Sequence, residues 1–480
     1  MADSRKVIPI EVAADDGGFF SLYESHQKIY PRTVKGRFAT LRWLAVLFTQ
    51  LLFYGLPWLS WNGRQAVLFD LGARKFYLFG LVLWPQDFIY LAALLVIAAL
   101  SLFFFTAVAG RLWCGYTCPQ TVYTEIFMWV ERRIEGDRAA QMKLDAAPWS
   151  AAKIGRKAAK HSVWVLIGLF TGFTFVGYFT PIRELAGQIL TLQLSGWGLF
   201  WWLFYSFATW GNAGFMREQV CKYMCPYARF QGAMFDKDTL IVTYDARRGE
   251  PRGSRGRKVV PSQVGLGSCI DCGLCVDVCP TGIDIRKGQQ YECIGCAACI
   301  DVCDTVMDKM NYPRGLVRYS TDRAISEPEQ AGSALSHVLR PRTIIYGGLL
   351  LGLIFVLLGS LTVRNPLKVD VIRDRNALTR IVEAGDIENT YRLHFMNSTE
   401  HPLTLRVEVE GIDGIRISGP SSYEVEPASN RAVPVNVRVG PDASRPGSHP
   451  IRFVVRPEGA QASAHGVKRH DEPSTFIVPR

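Results

Sequence analysis

The residues of this chain best suited to chemistry are its cysteines. The 480 residues include 12 cysteines, and all of them lie between positions 114 and 303. Eight form two runs with the spacing C-x2-C-x2-C-x3-C, in which x is any other residue. The runs are Cys269, Cys272, Cys275 and Cys279, then Cys293, Cys296, Cys299 and Cys303. The other four form two C-x3-C-P pairs: Cys114 with Cys118, and Cys221 with Cys225. Each spacing occurs twice, which indicates ligands rather than chance.

The two runs of four have the spacing of a bacterial two-cluster ferredoxin. In that pattern three thiolates of a tight loop bind one [4Fe–4S] cluster, and the fourth cysteine of the run binds the other cluster. Two sets are therefore predicted: a first cysteine set of Cys269, Cys272, Cys275 and Cys303, and a second cysteine set of Cys293, Cys296, Cys299 and Cys279. Zinc is the alternative for repeated C-x2-C motifs, and the paired runs make it the weaker interpretation.

The C-x3-C-P pairs predict a further redox or metal site. Each pair follows two apolar segments, and its proline suits the first position of a helix. Approximate twofold packing of the two hairpins would bring these four cysteines together beside the bilayer, and we call them the membrane-face thiols. They could hold a third [4Fe–4S] cluster or bind copper, because soft thiolates select Cu(I). Small buried cysteines without a chemical role are the alternative.

Five apolar runs must position these cysteines. A membrane crossing takes about 20 mostly apolar residues, and these runs are apolar on all sides rather than along one stripe. The predicted spans are Leu41–Trp61, Asp87–Val108, Ser162–Pro181, Trp197–Phe215 and Thr343–Val363. None has an ionisable residue near its middle, which argues against an ion pump or transporter. None contains a histidine that could bind haem.

The charge of the chain predicts its orientation. Lys+Arg number 54 against 43 Asp+Glu, a net charge of +11, and 49% of the residues are hydrophobic. The basic residues concentrate in the first 40 residues and between the second and third spans, which are therefore expected in the cytoplasm. Five spans then put the C-terminus in the periplasm. The positive charge suits a lipid surface, and no recognition motif accompanies it, so nucleic-acid binding is not expected.

The predicted fold class is a multidomain membrane protein. An N-terminal cytoplasmic segment (1–40), without a signal peptide, precedes a four-span membrane domain with both C-x3-C-P pairs (41–236). A cytoplasmic 2[4Fe–4S] ferredoxin domain of α+β type (237–342) and a fifth transmembrane helix (343–363) follow. The remainder (364–480) alternates apolar and polar residues, as in Val433, Val435, Val437 and Val439, which predicts an immunoglobulin-like β-sandwich. We expect it to be a binding or assembly module.

These motifs resemble those of cytochrome c oxidase accessory proteins of the CcoG/FixG type. The matching stretches are LYESHQKIYPRTVKGRFATLRW at 22–43, RLWCGYTCPQTVYTEIFMWVERRIEGDR at 111–138, CKYMCPYARFQGAMFD at 221–236 and the ferredoxin runs through CDTVMDKMNYPRGLVRYS. The resemblance covers nearly the whole chain. It implies a cupric reductase that converts Cu(II) to Cu(I) during assembly of a cbb-type oxidase in the bacterial inner membrane. It makes the membrane-face thiols the candidates for copper contact.

The resemblance also implies partners: copper ions, oxidase assembly factors or a copper transporter or chaperone, and a cytoplasmic electron donor. The donor is not named by the sequence, because no G-x-G-x-x-G dinucleotide fingerprint occurs. One alternative is an iron–sulfur electron-transfer subunit without copper chemistry, similar to the ferredoxin-like membrane partners of periplasmic nitrate reductase. It would pass electrons from quinol or a cytoplasmic donor to a partner protein. Another is a structural assembly factor whose clusters only sense redox state.

Overall fold

The computed structural model describes residues 28–479 apart from 258, 260, 328–337, 375–378, 383–384, 442–444 and 459–465. Residues 1–27 of the predicted N-terminal segment therefore lie outside the described residues. From residue 37 onward the chain forms a helical bundle, a small α+β domain, one further long helix and a β-sandwich. This order agrees with the predicted fold class.

The bundle consists of helices with two small sheets between the first two long ones. Its helices are α1 (Arg37–Gly55), α2 (Phe88–Ala109), α3 (Leu112–Tyr116), α4 (Pro119–Glu135), α5 (Arg138–Ala146), α6 (Ala151–Val176), α7 (Ile182–Leu190), α8 (Gly196–Gly211) and α9 (Pro226–Met234). Its strands are β1 (Ser60–Trp61), β2 (Arg64–Gln65), β3 (Val67–Asp70), β4 (Lys75–Leu78) and β5 (Leu81–Leu83). Strand β1 pairs with β2, and β4 lies between β3 and β5. Strands this short leave little periodic signal, and the sequence did not predict them.

Four helical stretches among the described residues are long and apolar enough to cross a membrane, and each corresponds to a predicted span. They are Arg37–Trp58, Pro85–Ala109, Ala151–Val176 and Pro341–Val363. The remaining predicted span, Trp197–Phe215, is the 16-residue helix α8 followed by a π-helical turn over Asn212–Met216. Since a crossing takes about 20 residues, this segment reaches the required length only with the π turn included.

Helix α6 begins at Ala151, well before the predicted span start at Ser162. Its first turns carry lysines whose charges are paired inside the protein: Lys160 is buried and its Nζ lies 2.9 Å from Glu135 Oε1. Hydropathy marks only the apolar part of such a helix. The helix itself continues through the charged turns because helix α4 supplies their partners.

The ferredoxin-type domain packs its helices on a two-stranded sheet. Its elements are β6 (Ile241–Tyr244), α10 (Ala246–Gly249), α11 (Leu274–Asp277), α12 (Ala298–Met310), β7 (Val317–Ser320) and α13 (Asp322–Ser326). Strands β6 and β7 pair antiparallel. Val242, Ile300, Met307 and Leu316 are buried between the sheet and the helices. This core holds the loops that carry the eight ferredoxin cysteines.

Helix α14 (Pro341–Val363) leads to the predicted sandwich. One sheet has the order β12-β14-β10-β8 with β9 on β10, and the other has the order β13-β11-β15-β16. The strands are β8 (Leu367–Arg373), β9 (Arg380–Ile381), β10 (Ile387–Asn397), β11 (Leu403–Glu410), β12 (Arg416–Ser418), β13 (Ser422–Val425), β14 (Asn430–Val439), β15 (Gly447–Pro457) and β16 (His470–Val478). Tyr391, Phe395, Phe453 and Phe476 are fully buried between the sheets. The predicted immunoglobulin-like sandwich is confirmed.

The ferredoxin-type domain and the sandwich lie at opposite ends of the bundle. Helix α14 packs against α2. At one end Arg340 Nη2 donates to the Ala107 carbonyl at 2.8 Å, and at the other Arg364 Nη2 contacts Asp87 Oδ2 at 2.5 Å. The sandwich is also fixed by Trp84, whose buried indole N–H donates to Ser398 Oγ at 2.9 Å. All twelve cysteines therefore belong to the end that carries the ferredoxin-type domain.

Candidate metal centre

The two ferredoxin runs fold into loops of the same local conformation. Asp271 and Gly273 have φ of 52° and 68° in the first loop, and Gly295 and Ala297 have φ of 67° and 59° in the second. These are the second and fourth residues after the first cysteine of each run. Left-handed residues at alternating positions turn successive backbone N–H groups toward one point, which forms a concave anion site. The backbone of each loop, like its thiols, therefore suits an anionic iron–sulfur cluster.

Each predicted cysteine set surrounds one cavity. The first cavity is lined by Cys269, Cys272, Cys275 and Cys303 among mainly apolar neighbours. The second is lined by Cys279, Cys293, Cys296 and Cys299, again among apolar side chains such as Ile283 and Ile285. Cys275 lines both cavities, so they share a wall. The crossed arrangement, in which the last cysteine of each run joins the other set, is present.

The spacing of the thiols fits clusters better than single ions. Among the residues that the structure describes, no three His, Cys, Asp or Glu side chains lie close enough to share one metal ion. A cubane distributes its four thiolates over four iron atoms, so its ligands stand further apart than those of zinc. Burial raises the pKa of both Cys293 and Cys303 to about 12. Burial thus disfavours the thiolate form of these sulfurs, and a bound metal group would favour it.

The two C-x3-C-P pairs occupy equivalent places in a structural repeat. Pro119 and Pro226 begin α4 and α9, with Cys118 and Cys225 as the residues before them, as the sequence predicted. Gly110 and Arg217, each four residues before the first cysteine of a pair, both have positive φ, 54° and 37°. The repeat therefore extends upstream of the cysteines.

The repeat departs from symmetry in the turn that holds the first cysteine. Cys114 lies in the α-helical turn Leu112–Tyr116, whereas Cys221 lies in a π-helical turn, Val220–Met224. Single π turns are frequent at functional sites because they displace a side chain from its helical position.

The fold brings the membrane-face thiols together. The pKa of Cys221 is raised to about 12, by burial first and then by the neighbouring Cys118, Cys114 and Cys225. Burial likewise raises the pKa of Cys114 to about 11. The side chain of Gln231 is fully buried, and its Nε2 donates to Cys114 Sγ at 3.4 Å. Sequence reasoning missed Gln231; a polar residue inside the short helix after Cys-Pro was the available signal.

A glycine contact joins the membrane-face thiols to the second cysteine set. A Cβ on Gly115 would lie 2.8 Å from the Ile294 carbonyl oxygen and 2.9 Å from the backbone of Cys296. Reciprocally, a Cβ on Gly295 would lie 3.2 Å from the Arg111 carbonyl oxygen. Only glycine allows the two backbones to approach so closely. The second cavity therefore adjoins both the first cavity, through Cys275, and the turn that carries Cys114.

Two buried arginines flank the second cavity. Arg42 Nη1 donates to the Cys296 carbonyl oxygen at 2.6 Å, and Arg111 Nη2 donates to the Ala228 carbonyl oxygen at 2.5 Å. Both side chains also lie within the junction of bundle and ferredoxin-type domain, where Arg111 contacts the Tyr291 carbonyl. Positive charge close to a cluster favours its reduced form. Neither arginine was singled out by its sequence pattern.

Comparison with known protein families agrees with this architecture. A 4Fe–4S dicluster domain family matches residues 216–322, and a 4Fe–4S binding domain family matches residues 91–136. The family described as the Ig-like fold at the C-terminus of FixG matches residues 357–479. Together with the helical spans, these matches define a membrane protein of the iron–sulfur oxidoreductase class.

Individual relatives narrow the class to one family. The nitrogen fixation protein FixG of Rhizobium meliloti (strain 1021) is 39% identical, over 92% of this chain and 89% of its own length. Protein RdxB of Cereibacter sphaeroides is 41% identical over 87% of this chain and 88% of its own. Among solved structures, a FixG-related protein from Vibrio parahaemolyticus is 28% identical over 24% of this chain and 97% of its own, with a TM-score of 0.21. The chain belongs to the FixG family.

Proposed function

We propose that this protein is a cupric reductase that converts Cu(II) to Cu(I) at the membrane-face thiols for assembly of a cbb-type cytochrome c oxidase. Two [4Fe–4S] clusters, bound by the first and second cysteine sets, would supply electrons one at a time. The Cu(II)/Cu(I) couple takes one electron, so donor and acceptor match without storage of a second electron.

The observation that carries this proposal is the contact of Gly115 with the second cysteine loop. It puts the backbone beside Cys114 against the backbone of Cys296. An acceptor held by the membrane-face thiols would therefore lie next to the second cavity, while the first cavity lies on the far side of the shared Cys275 wall. These two adjacencies favour electron flow from the first cavity through the second to the membrane-face thiols.

The chemistry of the membrane-face thiols supports copper as the substrate, held by no more than two of these sulfurs at a time, since no three of them lie close enough to share one ion in the described part of the chain. Soft sulfur ligands bind Cu(I) better than Cu(II), which makes the reduction more favourable at this site. Because burial raises the pKa of Cys114 and Cys221, these thiols are protonated before copper arrives and release protons when it binds. Gln231 holds the Cys114 sulfur in place through its hydrogen bond.

We place the protein in the bacterial inner membrane with the ferredoxin-type domain in the cytoplasm. The support is the basic residues around α4, α5 and the start of α6, which lie at the end of the bundle that contacts the ferredoxin-type domain. The sandwich, at the opposite end, would face the periplasm and is our candidate surface for oxidase assembly factors. A copper transporter or chaperone would take the Cu(I), and a cytoplasmic donor would supply the electrons.

One observation favours a second function. The 4Fe–4S binding domain match over residues 91–136 includes Cys114 and Cys118. The membrane-face thiols would then hold a third cluster, and the protein would be an electron-transfer subunit that passes electrons to a partner without copper chemistry.

Copper reduction by the loaded protein separates these functions. The purified protein is reduced with dithionite, desalted and mixed with Cu(II), and Cu(I) is followed with a coloured Cu(I)-specific chelator. We expect the Cys221→Ser/Cys225→Ser variant to lose this activity while it keeps about eight irons per chain, the content of two clusters. Lys222→Gln, in the same π turn, is the control and should keep the activity.

Two outcomes would count against copper chemistry. Unchanged copper reduction in the double variant would remove the thiols from the reaction. A wild-type content of about twelve irons, falling to about eight in the variant, would instead assign a third cluster to this site and favour the electron-transfer function.

A further inference from the structure

A large cavity lies between the start of α1, helix α4 and the second cysteine loop. Its volume is about 710 Å³, within the range of about 300–1,000 Å³ of small-molecule sites. Its lining includes Cys221 of the membrane-face thiols and Cys296 of the second cysteine set. A molecule in this cavity would therefore lie beside both redox groups, which is the position of an electron donor or acceptor.

The charge of the lining selects an anion. Six basic and three acidic side chains line the cavity, a net charge of +3: Arg32, Lys35, Arg42, Arg132, Arg133 and Arg217 against Glu125, Asp137 and Glu218. Arg132 is paired with Glu125 at 3.1 Å, and Arg217 is paired at 2.7 Å with Glu131, which lies outside the lining. No ion pair joins Lys35 or Arg133 to any other residue in the described part of the chain, and both are exposed. Lys35 and Arg133 therefore attract anions to the cavity.

Aromatic side chains add a second preference. The indoles of Trp43 and Trp129 both line the cavity, with ring centroids 6.4 Å apart and planes at 69°. The guanidinium of Arg133 lies 5.3 Å from the centre of the Trp129 ring. Indole faces bind planar aromatic molecules by stacking. A positive rim around indole rings fits a planar aromatic group that carries a phosphate.

We propose that this cavity binds a flavin mononucleotide, whose reduced form donates electrons to the second cysteine set. The dihydroflavin would lose two electrons, one after the other, and two protons to solvent, while two Cu(II) become two Cu(I). The destination of the electrons rests on the proposed function; the binding site does not. The chain has no dinucleotide fingerprint, so a single phosphate held by Lys35 and Arg133 is the simplest anchor. A neutral quinol would gain nothing from the net charge.

Flavin binding is tested on the full chain in lipid discs of phosphatidylcholine. Flavin mononucleotide is titrated, and quenching of its fluorescence by the nearby indoles reports occupancy. We expect saturable quenching, with Kd raised about tenfold by Lys35→Gln and by Arg133→Gln, the usual cost of one charge contact. Riboflavin, which lacks the phosphate, should bind more weakly than the mononucleotide. Lys287→Gln is the control, since this exposed lysine lies outside the cavity.

Absent or unsaturable quenching, or an equal Kd in the two cavity variants, would overturn the proposal. Loss of flavin binding when phosphatidylglycerol replaces phosphatidylcholine would show a lipid-headgroup site instead, and displacement of flavin by a ubiquinol analogue would show a neutral donor. Bleaching of the iron–sulfur absorbance by dihydroflavin without copper reduction would leave this inference intact and contradict the proposed function. Copper reduction by pre-reduced protein that binds no flavin would support the proposed function and contradict this inference.

Discussion

At the scale of single residues, the contact of Gly115 with the second cysteine loop brings the second cysteine set close to the membrane-face thiols. In Gly115→Ala the new methyl would meet the backbone of Ile294 and Cys296 at less than 3 Å, and backbone cannot swing aside as a side chain can. We expect the first C-x3-C-P pair to be displaced from the loop. Copper reduction by pre-reduced protein should fall on the order of ten- to a hundredfold, at unchanged iron content.

A matched glycine separates this contact from a general effect of alanine. Gly155 lies in helix α6, where an added methyl would meet nothing within 4 Å, so Gly155→Ala should leave the rate unchanged. A normal rate in Gly115→Ala would mean that electrons do not pass through this contact. Loss of iron in that variant would instead show that Gly115 is needed to form the second cavity.

The residues of the centre differ in how far the sequence alone could predict them. The ferredoxin cysteines were predictable as two sets because a cluster loop demands short fixed spacing, and each set does surround one cavity. Gly115, Gln231 and Arg42 were not predictable. Their roles depend on contacts between segments more than a hundred residues apart, and no local pattern records such contacts.

At the scale of elements, buried ion pairs between α4, α6 and the turn before Cys221 hold the second C-x3-C-P pair. Glu131 lies 2.7 Å from Arg217 and 3.4 Å from Lys160, and its side chain is only 2% exposed. Glu131→Gln would leave both cations without this partner. We expect a loss of about 3–5 kcal/mol in the free energy of unfolding, the usual cost of breaking a buried pair, measured by chemical denaturation in detergent.

The same pairing predicts the pH dependence of stability. Burial alone would raise the pKa of Glu131, but Arg217 and Lys160 hold it below its ordinary value. A carboxyl with a lowered pKa in the folded state stabilises the fold above its unfolded pKa and loses that contribution as the pH falls. Glu131→Gln should therefore flatten the acid limb of the stability profile. Glu184→Gln, at an exposed position of helix α7, is the control; an equal loss there would contradict the assignment.

Hydropathy predicted the long apolar helices well, and it failed where charged side chains form ion pairs inside the protein. The charged start of α6 was missed because Lys160 finds its partners on α4. The fourth predicted span proved to be a shorter α-helix completed by a π turn, and hydropathy does not distinguish helix types.

At the scale of the whole molecule, the cysteines lie at one end of the bundle and the sandwich is attached at the other. The alternating pattern of the C-terminal part predicted its sandwich, because each strand buries one face. Its attachment was not predictable: the Trp84–Ser398 hydrogen bond and the Arg364–Asp87 ion pair each join residues about 280 or more positions apart. These contacts fix the sandwich to the end opposite the cysteines.

This separation predicts which residues an impermeant thiol reagent can reach in spheroplasts. All twelve native cysteines belong to the ferredoxin end, so wild-type protein should stay unlabelled until the membrane is permeabilised. Lys468→Cys, exposed on the sandwich, should be labelled at once, whereas Lys287→Cys, exposed on the ferredoxin-type domain, should need permeabilisation. Immediate labelling at 287 but not at 468 would reverse the orientation and put copper reduction in the periplasm. Labelling at both positions would mean that the bundle does not separate two compartments, against the apolar lengths of α1, α2, α6 and α14.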